Sequence, residues 1–381
     1  MAYTETTRTS YGKRLGNSLG GIVTGLLLFV VGTVLIWYNE GRAVKTDKLL
    51  KEAQGQVVEM PDISTADPSF EGKLIHATGL ATTTDSLSDS QFKVGARAIA
   101  LRRAVEYYQW VESSESTSKD KFGGAEETTT TYTYDLQWVS SPISSKEFHD
   151  PDYRNENTVK QQVEAYTKYA QNVRFGAYRL NSDQIRSMSG SVPVEVDDST
   201  HTNVIYIGED PSRPDVGDVR ITFTKVMPGE VSIVAAVSGD TFAPYQAKSG
   251  KTFSALRMGN VPQEQIFESE HATNKMILWL LRILGFFLIL AGLRNIFSIL
   301  ETLLKVFPFL SRIVGWGISV VCGVVAFAWT LVVAALAWIA YRPVVAIVLL
   351  VIAAAAIWYF STHGKKNAPE PPATPQAPAG A

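Results

Sequence analysis

The sequence predicts a polytopic α-helical membrane protein with four transmembrane helices. A large α+β, β-rich domain, extracytoplasmic or lumenal, is expected between the first helix and the second. Three observations carry this. Four apolar runs approach the roughly 20 residues that span a bilayer. The segment between the first two runs has the length and polarity of a folded unit. Within that segment apolar and polar residues alternate with a period of two, the mark of a half-buried strand.

Residues 1–18, opening MAYTETTRTS, are polar and read as a loose N-terminus. Leu19 to Tyr38 carries no charge and forms the first span. Its core is too long for a signal-peptide h-region and no small-x-small site follows, so a retained anchor is expected. Trp37 and Tyr38 suit the interfacial aromatic belt, and Asn39 with Gly41 suits a helix end. The stretch Asn39, Glu40, Gly41, Arg42 and Lys45 is a candidate motif for seating the domain on the membrane, near the entry to the second span.

The domain, 39–275, is expected to contain a long β-hairpin. On its first strand Val105, Tyr107 and Val111 share one face, with Arg102, Glu106 and Glu112 on the other. On its second strand Tyr132, Tyr134, Leu136 and Trp138 alternate with Thr131, Thr133, Asp135 and Gln137. Arg102, Arg103, Glu106, Tyr107, Trp110, Tyr132, Tyr134 and Trp138 are its candidate functional residues. Between the strands SSESTSKDKFGGAEE reads as a polar loop, so the tip should project from the domain. Further strands are expected at Lys73–Gly79, Val204–Gly208, Val219–Lys225 and Val231–Val237. Thr158–Val173 carries Val159, Val163, Tyr166 and Ala170 at helical spacing and predicts a helix. Asn181 or Ser182 should cap a short helix through Met188. Pro262 suits a first helical position, and no breaker precedes Met276, so one helix should run from the domain into the second span.

Met276 to Leu293 is the second span, interrupted only by Arg282. A central arginine costs roughly 2.5–3.5 kcal/mol on insertion scales, and no Asp or Glu lies within any span. Arg282 is therefore a candidate membrane-embedded charge, either snorkelling to headgroups or meeting the domain or an anionic lipid. The connector 294–312 is amphipathic, either an interfacial helix or a continuation of the second helix ended by Pro308. Ile313 to Tyr341 is the third span and 343–360 the fourth, joined at Tyr341-Arg342-Pro343. Gly315, Gly317, Gly323 and Ala326 suit close helix packing. The Ala/Pro-rich tail 361–381 has nothing to bury and reads as disordered. Lys13, Arg14, Arg294, Lys305, Arg312, Lys365 and Lys366 fall on one side, which predicts cytoplasmic termini, although Arg42, Lys45 and Lys48 lie opposite.

The chemistry expected of the domain is sparse. A net charge of −2 gives no basic face for nucleic acid. The one cysteine, Cys322, lies in the third span, so the domain has no disulfide and no thiol nucleophile. The five histidines, His76, His149, His201, His271 and His363, show no metal-ligand spacing. The adjacent acids Asp197–Asp198 and Glu126–Glu127 would point to opposite faces of a strand and form no dyad. Ser249–Thr252, SGKT, lacks the earlier glycine of a phosphate loop, Tyr245 standing there, and reads as a turn. No catalytic, cofactor or metal site is expected.

The chain resembles the transmembrane protein 43 family, also called LUMA. The resemblance rests on NEGRAVKT at 39–46, EGKLIHATG at 71–79, LRRAVEYYQWVE at 101–112 and TYTYDLQW at 131–138. It continues through PDVGDVRITF at 214–223, SGDTFAPYQAKSG at 238–250 and YRP at 341–343. It implies four spans, a large lumenal or extracytoplasmic domain, self-association, and a role in organising membrane protein complexes, and with no catalytic site expected a non-enzymatic scaffold is the leading reading. For a eukaryotic member it implies the endoplasmic reticulum and nuclear inner membrane, and for a bacterial one the cell membrane. The tail departs from animal relatives. Membrane lipids, other copies and other membrane proteins are the expected partners. A membrane-surface enzyme, a lipid-handling protein, or an accessory subunit of a protease or transporter are the alternatives.

Overall fold

The computed structural model describes residues 2–196, 203–304 and 308–343, with positions 347, 351 and 355; the side chains of 308–314 lie outside this set. Nearly all of the expected fourth span and the tail also lie outside it, as do Asp197, Asp198, His201 and His363.

In chain order the main strands are β1 (Ala2–Thr9), β2 (Leu74–Thr83), β3 (Ala100–Asp120), β4 (Glu126–Val139), β5 (Tyr166–Tyr169) and β6 (Val173–Phe175). They continue with β7 (Val204–Ile207), β8 (Val219–Val226), β9 (Gly229–Ser238), β10 (Thr241–Ala243) and β11 (Ala255–Met258). The helices are α1 (Tyr11–Gln54), α2 (Ser182–Ser187), α3 (Gln263–Leu304) and α4 (Pro308–Tyr341). Three helices, Tyr11–Gln54, Gln263–Leu304 and Gly315–Tyr341, are long and apolar enough to cross a membrane, and a β-rich domain lies between the first two.

One sheet runs β1-β4-β3-β8, with β5 on β3 and β7 on β8. The other is built around antiparallel β2 and β9, flanked by β6, β10 and β11. The first sheet buries Leu101, Val105, Tyr107, Val219, Ile221 and Phe223, as the period-two pattern requires. The second buries Ile75, Phe175, Tyr178, Ile233 and Phe242. Its opposite face, through Leu74 and Val234, packs on Leu49, Leu50 and Ala53 of α1 and on Ile266 and Phe267 of α3. Both helices thus enter the domain core and carry it.

The strands expected at Lys73–Gly79, Val204–Gly208, Val219–Lys225 and Val231–Val237 form, with small boundary changes. Asn181 caps α2 with a full capping box through Gln184. The helix from Pro262 into the second span forms as α3.

Four expectations are corrected. Thr158–Val173 is not helical. Tyr107 Oη donates to the carbonyl of Val163 at 2.5 Å and accepts its N–H, and β5 pairs with β3, so tertiary partners override local helical spacing. Asn39 and Gly41 do not end a helix, because α1 continues through them to Gln54. Of the two alternatives for the connector, continuation of the second helix holds as far as Leu304, where α3 ends; residues 305–307 lie outside the described set. Finally, the N-terminus is not loose. Ala2–Thr9 pairs with Thr133–Glu126 of β4 along its whole length. Most of the expected polar loop is itself strand, and the turn shrinks to Lys121–Ala125, closed by Gly123 and Gly124 at positive φ.

Candidate functional site

α1 and α3 pack antiparallel with a fixed register. A Cβ on Gly25 would come within 2.6 Å of the Gly292 carbonyl, so these two glycines let the backbones touch. Seven residues on, Gly32 meets Gly285 in the same way. A further seven residues bring Asn39 opposite Leu278, whose carbonyl accepts from Asn39 Nδ2 at 3.0 Å.

At that level the Asn39–Lys45 stretch forms a polar clamp between the helices. Glu40, only 2% exposed, accepts from Arg282 Nε at 2.6 Å. Arg282 also stacks over Trp279, with its Cζ 4.9 Å from the ring centroid. The embedded arginine therefore has a carboxylate partner after all, supplied from two residues past the first apolar run. Arg42 donates to Asn39 Oδ1 at 3.2 Å and to Asn274 Oδ1 at 3.0 Å. Asn274 returns a bond from Nδ2 to the Ala43 carbonyl at 3.0 Å. Gly41 faces α4, where a Cβ would collide with the Tyr341 ring. Tyr341 also packs on Trp37, so all three long helices meet at this level. Lys45 stays exposed.

Just above the clamp Lys251 Nζ donates to Thr46 Oγ1 at 3.0 Å. Burial, together with nearby Arg42 and Lys45, pushes the Lys251 ammonium below its ordinary value. The SGKT segment that carries it is a turn, with Gly250 at φ 79° and Ala247 N–H bonded to the Lys251 carbonyl.

The hairpin residues serve the domain in different ways. Arg103 is buried and donates to Asp89 at 2.8 Å and to the Glu164 carbonyl. Glu106 pairs with Arg220 at 2.6 Å, and Arg220 lies over the Trp138 ring. Trp110 meets Tyr153 edge-on, Tyr134 stacks on Tyr153, and Tyr132 stacks on His149. Tyr134 Oη donates to Glu112 at 2.6 Å. These aromatics brace the base of the hairpin against the 143–157 loop. Arg102 is exposed and joins none of them.

Two clusters have no counterpart in the sequence reading. Buried Asp218 pairs with Lys160 at 2.5 Å, accepts from Tyr206 Oη and takes the Asp215 N–H at 2.9 Å. Burial raises its carboxyl, but the bonds from Lys160, Tyr206 and Asp215 outweigh that and hold it below the usual range. At the far end of α1, Arg14 donates to Asp120 at 2.7 Å and to the Gly124 carbonyl at 3.1 Å. Nothing in sequence spacing links residue 14 to residue 120; the hairpin's length alone hints that its tip reaches a distant element. Among the described residues no group of three His, Cys, Asp or Glu side chains gathers to hold a metal ion. His76, His149 and His271 each meet a single carboxylate, from Glu59, Glu112 and Asp47.

Comparison with known proteins finds relatives along most of the chain. The family model described as Transmembrane protein 43 matches residues 107–343. The chain is 34% identical over 349 residues to Transmembrane protein 43 of Rattus norvegicus, covering 87% of each. It is 33% identical over 355 residues to the Homo sapiens protein of that name, covering 88% of each. To the Drosophila melanogaster homolog it is 28% identical over 352 residues, covering 89% of this chain and 93% of that one. No solved structure matches.

Proposed function

The chain belongs to the transmembrane protein 43 family, and from that premise we propose that it is a non-enzymatic membrane organiser that self-associates and holds membrane proteins together. The observation that carries the reading is the ribbon of β1, β4 and distal β3. Among the described residues no strand pairs with either of its outer edges, and open edges are ready pairing surfaces. A scaffold also has to transmit position, which suits a domain whose core contains the ends of both α1 and α3.

In this reading the clamp of Asn39, Glu40, Arg42, Asn274 and Arg282 sets how the domain sits on the bilayer, with Gly41 admitting α4 beside it. Residues 343–360 form a fourth span and both termini face the cytoplasm. The partners are membrane lipids, further copies and other membrane proteins. A eukaryotic source places the protein in the endoplasmic reticulum and nuclear inner membrane, and a bacterial source in the cell membrane. Purification of the full chain in mild detergent, followed by mass spectrometry of intact complexes, tests it. Multimers carrying other membrane proteins are expected; a strict monomer with one stoichiometric lipid contradicts the scaffold and favours lipid handling.

A further inference from the structure

The distal hairpin runs beside the membrane-crossing helices, and this constrains what can surround it. β1 ends at Thr9 opposite Glu126, and Ser10 then caps α1. Arg14 holds Asp120 and the Gly124 carbonyl, while the Tyr11 ring packs on Gly124. The hairpin tip is therefore fixed at the N-terminal end of α1. Near the other end of α1, Leu49, Leu50 and Ala53 are fixed in the domain core. Between those anchors the apolar run Leu19–Tyr38 is about 30 Å long at 1.5 Å per residue, the thickness of a hydrocarbon core. Ser113–Asp120 rises about 27 Å at 3.4 Å per residue. Whichever side the domain occupies, the ribbon reaches its tip only by passing through the depth of the bilayer.

Its surface is wrong for lipid. A lipid-facing strand alternates apolar with polar residues, whereas this ribbon carries hydroxyl and charged side chains on both faces, with its aromatics confined to Tyr3 and Tyr132 at the end away from the tip. Its hydroxyls bond to one another, Ser116 with Thr130 at 2.9 Å and Ser118 with Thr128 at 2.8 Å. Among the described residues no strand pairs with the outer edge of β3 from Ser113 to Asp120, nor with the outer edge of β1. Hydrocarbon supplies no partner for those N–H and C=O groups, and headgroups lie beyond their reach.

We propose that the ribbon crosses the membrane inside a ring of copies, β1 of one chain pairing with β3 of the next, around a water-filled interior lined by hydroxyl groups. This rests on the self-association proposed above and names the surface that makes it. β1 and β3 both run antiparallel to β4, so they run in the same direction and present unlike edges. Copies inserted with one orientation join such edges head to tail, an arrangement that makes a ring where its rotation closes. Closure is how a sheet survives in a bilayer. By alternation from Asp120 and Glu126, the face turned away from Arg14 carries Thr6, Thr117 and Thr129, with the charged Arg8, Lys119 and Glu127 nearer the tip. That face lines the interior and admits water and small hydrophilic solutes.

Cross-linking tests the edges directly, because β4 separates β1 from β3 within one chain. Two strand spacings, about 9.5 Å, exceed the reach of a disulfide, so a bond between β1 and β3 must join two chains. In a Cys322→Ser background, Thr6→Cys is combined in turn with a single cysteine at each position of β3 from Ser113 to Lys119, and reconstituted membranes are oxidised. At least one register should give a ladder of linked multimers on a denaturing gel, which each single-cysteine parent should lack. In intact vesicles Thr117→Cys should react with a membrane-impermeant maleimide. Leu27→Cys, on the exposed apolar face of α1, should stay protected. Native mass in mild detergent separates the two proposals. A multimer with no β1–β3 link at any register and a protected Thr117→Cys overturns the ring while self-association stands; a strict monomer overturns both.

Discussion

Arg282 and Glu40 show how a charge is tolerated at the edge of a bilayer. Removing one member of a buried pair leaves the other charge uncompensated, which typically costs about 3–5 kcal/mol. Arg282→Leu should therefore destabilise strongly, while Glu40→Leu with Arg282→Leu should recover much of the loss; thermal unfolding in detergent of the four-member cycle reads this. The charge swap Glu40→Arg with Arg282→Glu should be milder than reversing Glu40 and Arg42, because Arg42 bonds to asparagines rather than to Glu40. Asp218 makes a prediction in pH. Its folded carboxyl lies below the ordinary value, so its stabilisation is present above the unfolded pKa and is lost as pH falls through the folded one. Asp218→Asn should flatten the acid side of the stability profile and lower the plateau at neutral pH. The sequence marked Glu40, Arg42 and Arg282 as notable, since charges crowding a membrane end are conspicuous. It did not pair Glu40 with Arg282, because their 242-residue separation is bridged only by the α1–α3 register.

The α1–α3 interface is where single elements become one unit. Gly25→Leu or Gly292→Leu places a side chain where backbone now sits, and overpacking of this kind typically costs about 1–3 kcal/mol. Either substitution should lower the melting temperature and expose the helices flanking the Asn39–Asn274 clamp to protease; unchanged melting and digestion would mean the helices do not touch there. Hairpin, strands and long helices were legible because each carries its own period. The helix expected over Thr158–Val173 failed because its apolar spacing is honest locally, while Tyr107 and β3 offer its backbone better partners. β1 was illegible for the opposite reason. Its Thr-rich run has no apolar face, and only the equally polar β4 makes it a strand.

For the whole molecule, the domain is not tethered to the membrane by linkers. Its core includes residues of α1 and α3, so displacement of the domain and displacement of the helices are one motion. The four apolar runs and the intervening β-rich segment were readable from length and alternation alone. That the N-terminal strand would join the domain's hairpin was not, since a chain on either side of a span is ordinarily taken as two separated halves. The account's central claim is that the ribbon built by that strand drives self-association. Its most direct test is the native mass of the full chain beside a variant lacking residues 2–9, both purified in the same mild detergent. The account predicts a multimer for the full chain and monomers, with melting otherwise retained, for the variant. A full chain that is strictly monomeric, or a shortened one that keeps the same multimer, contradicts it.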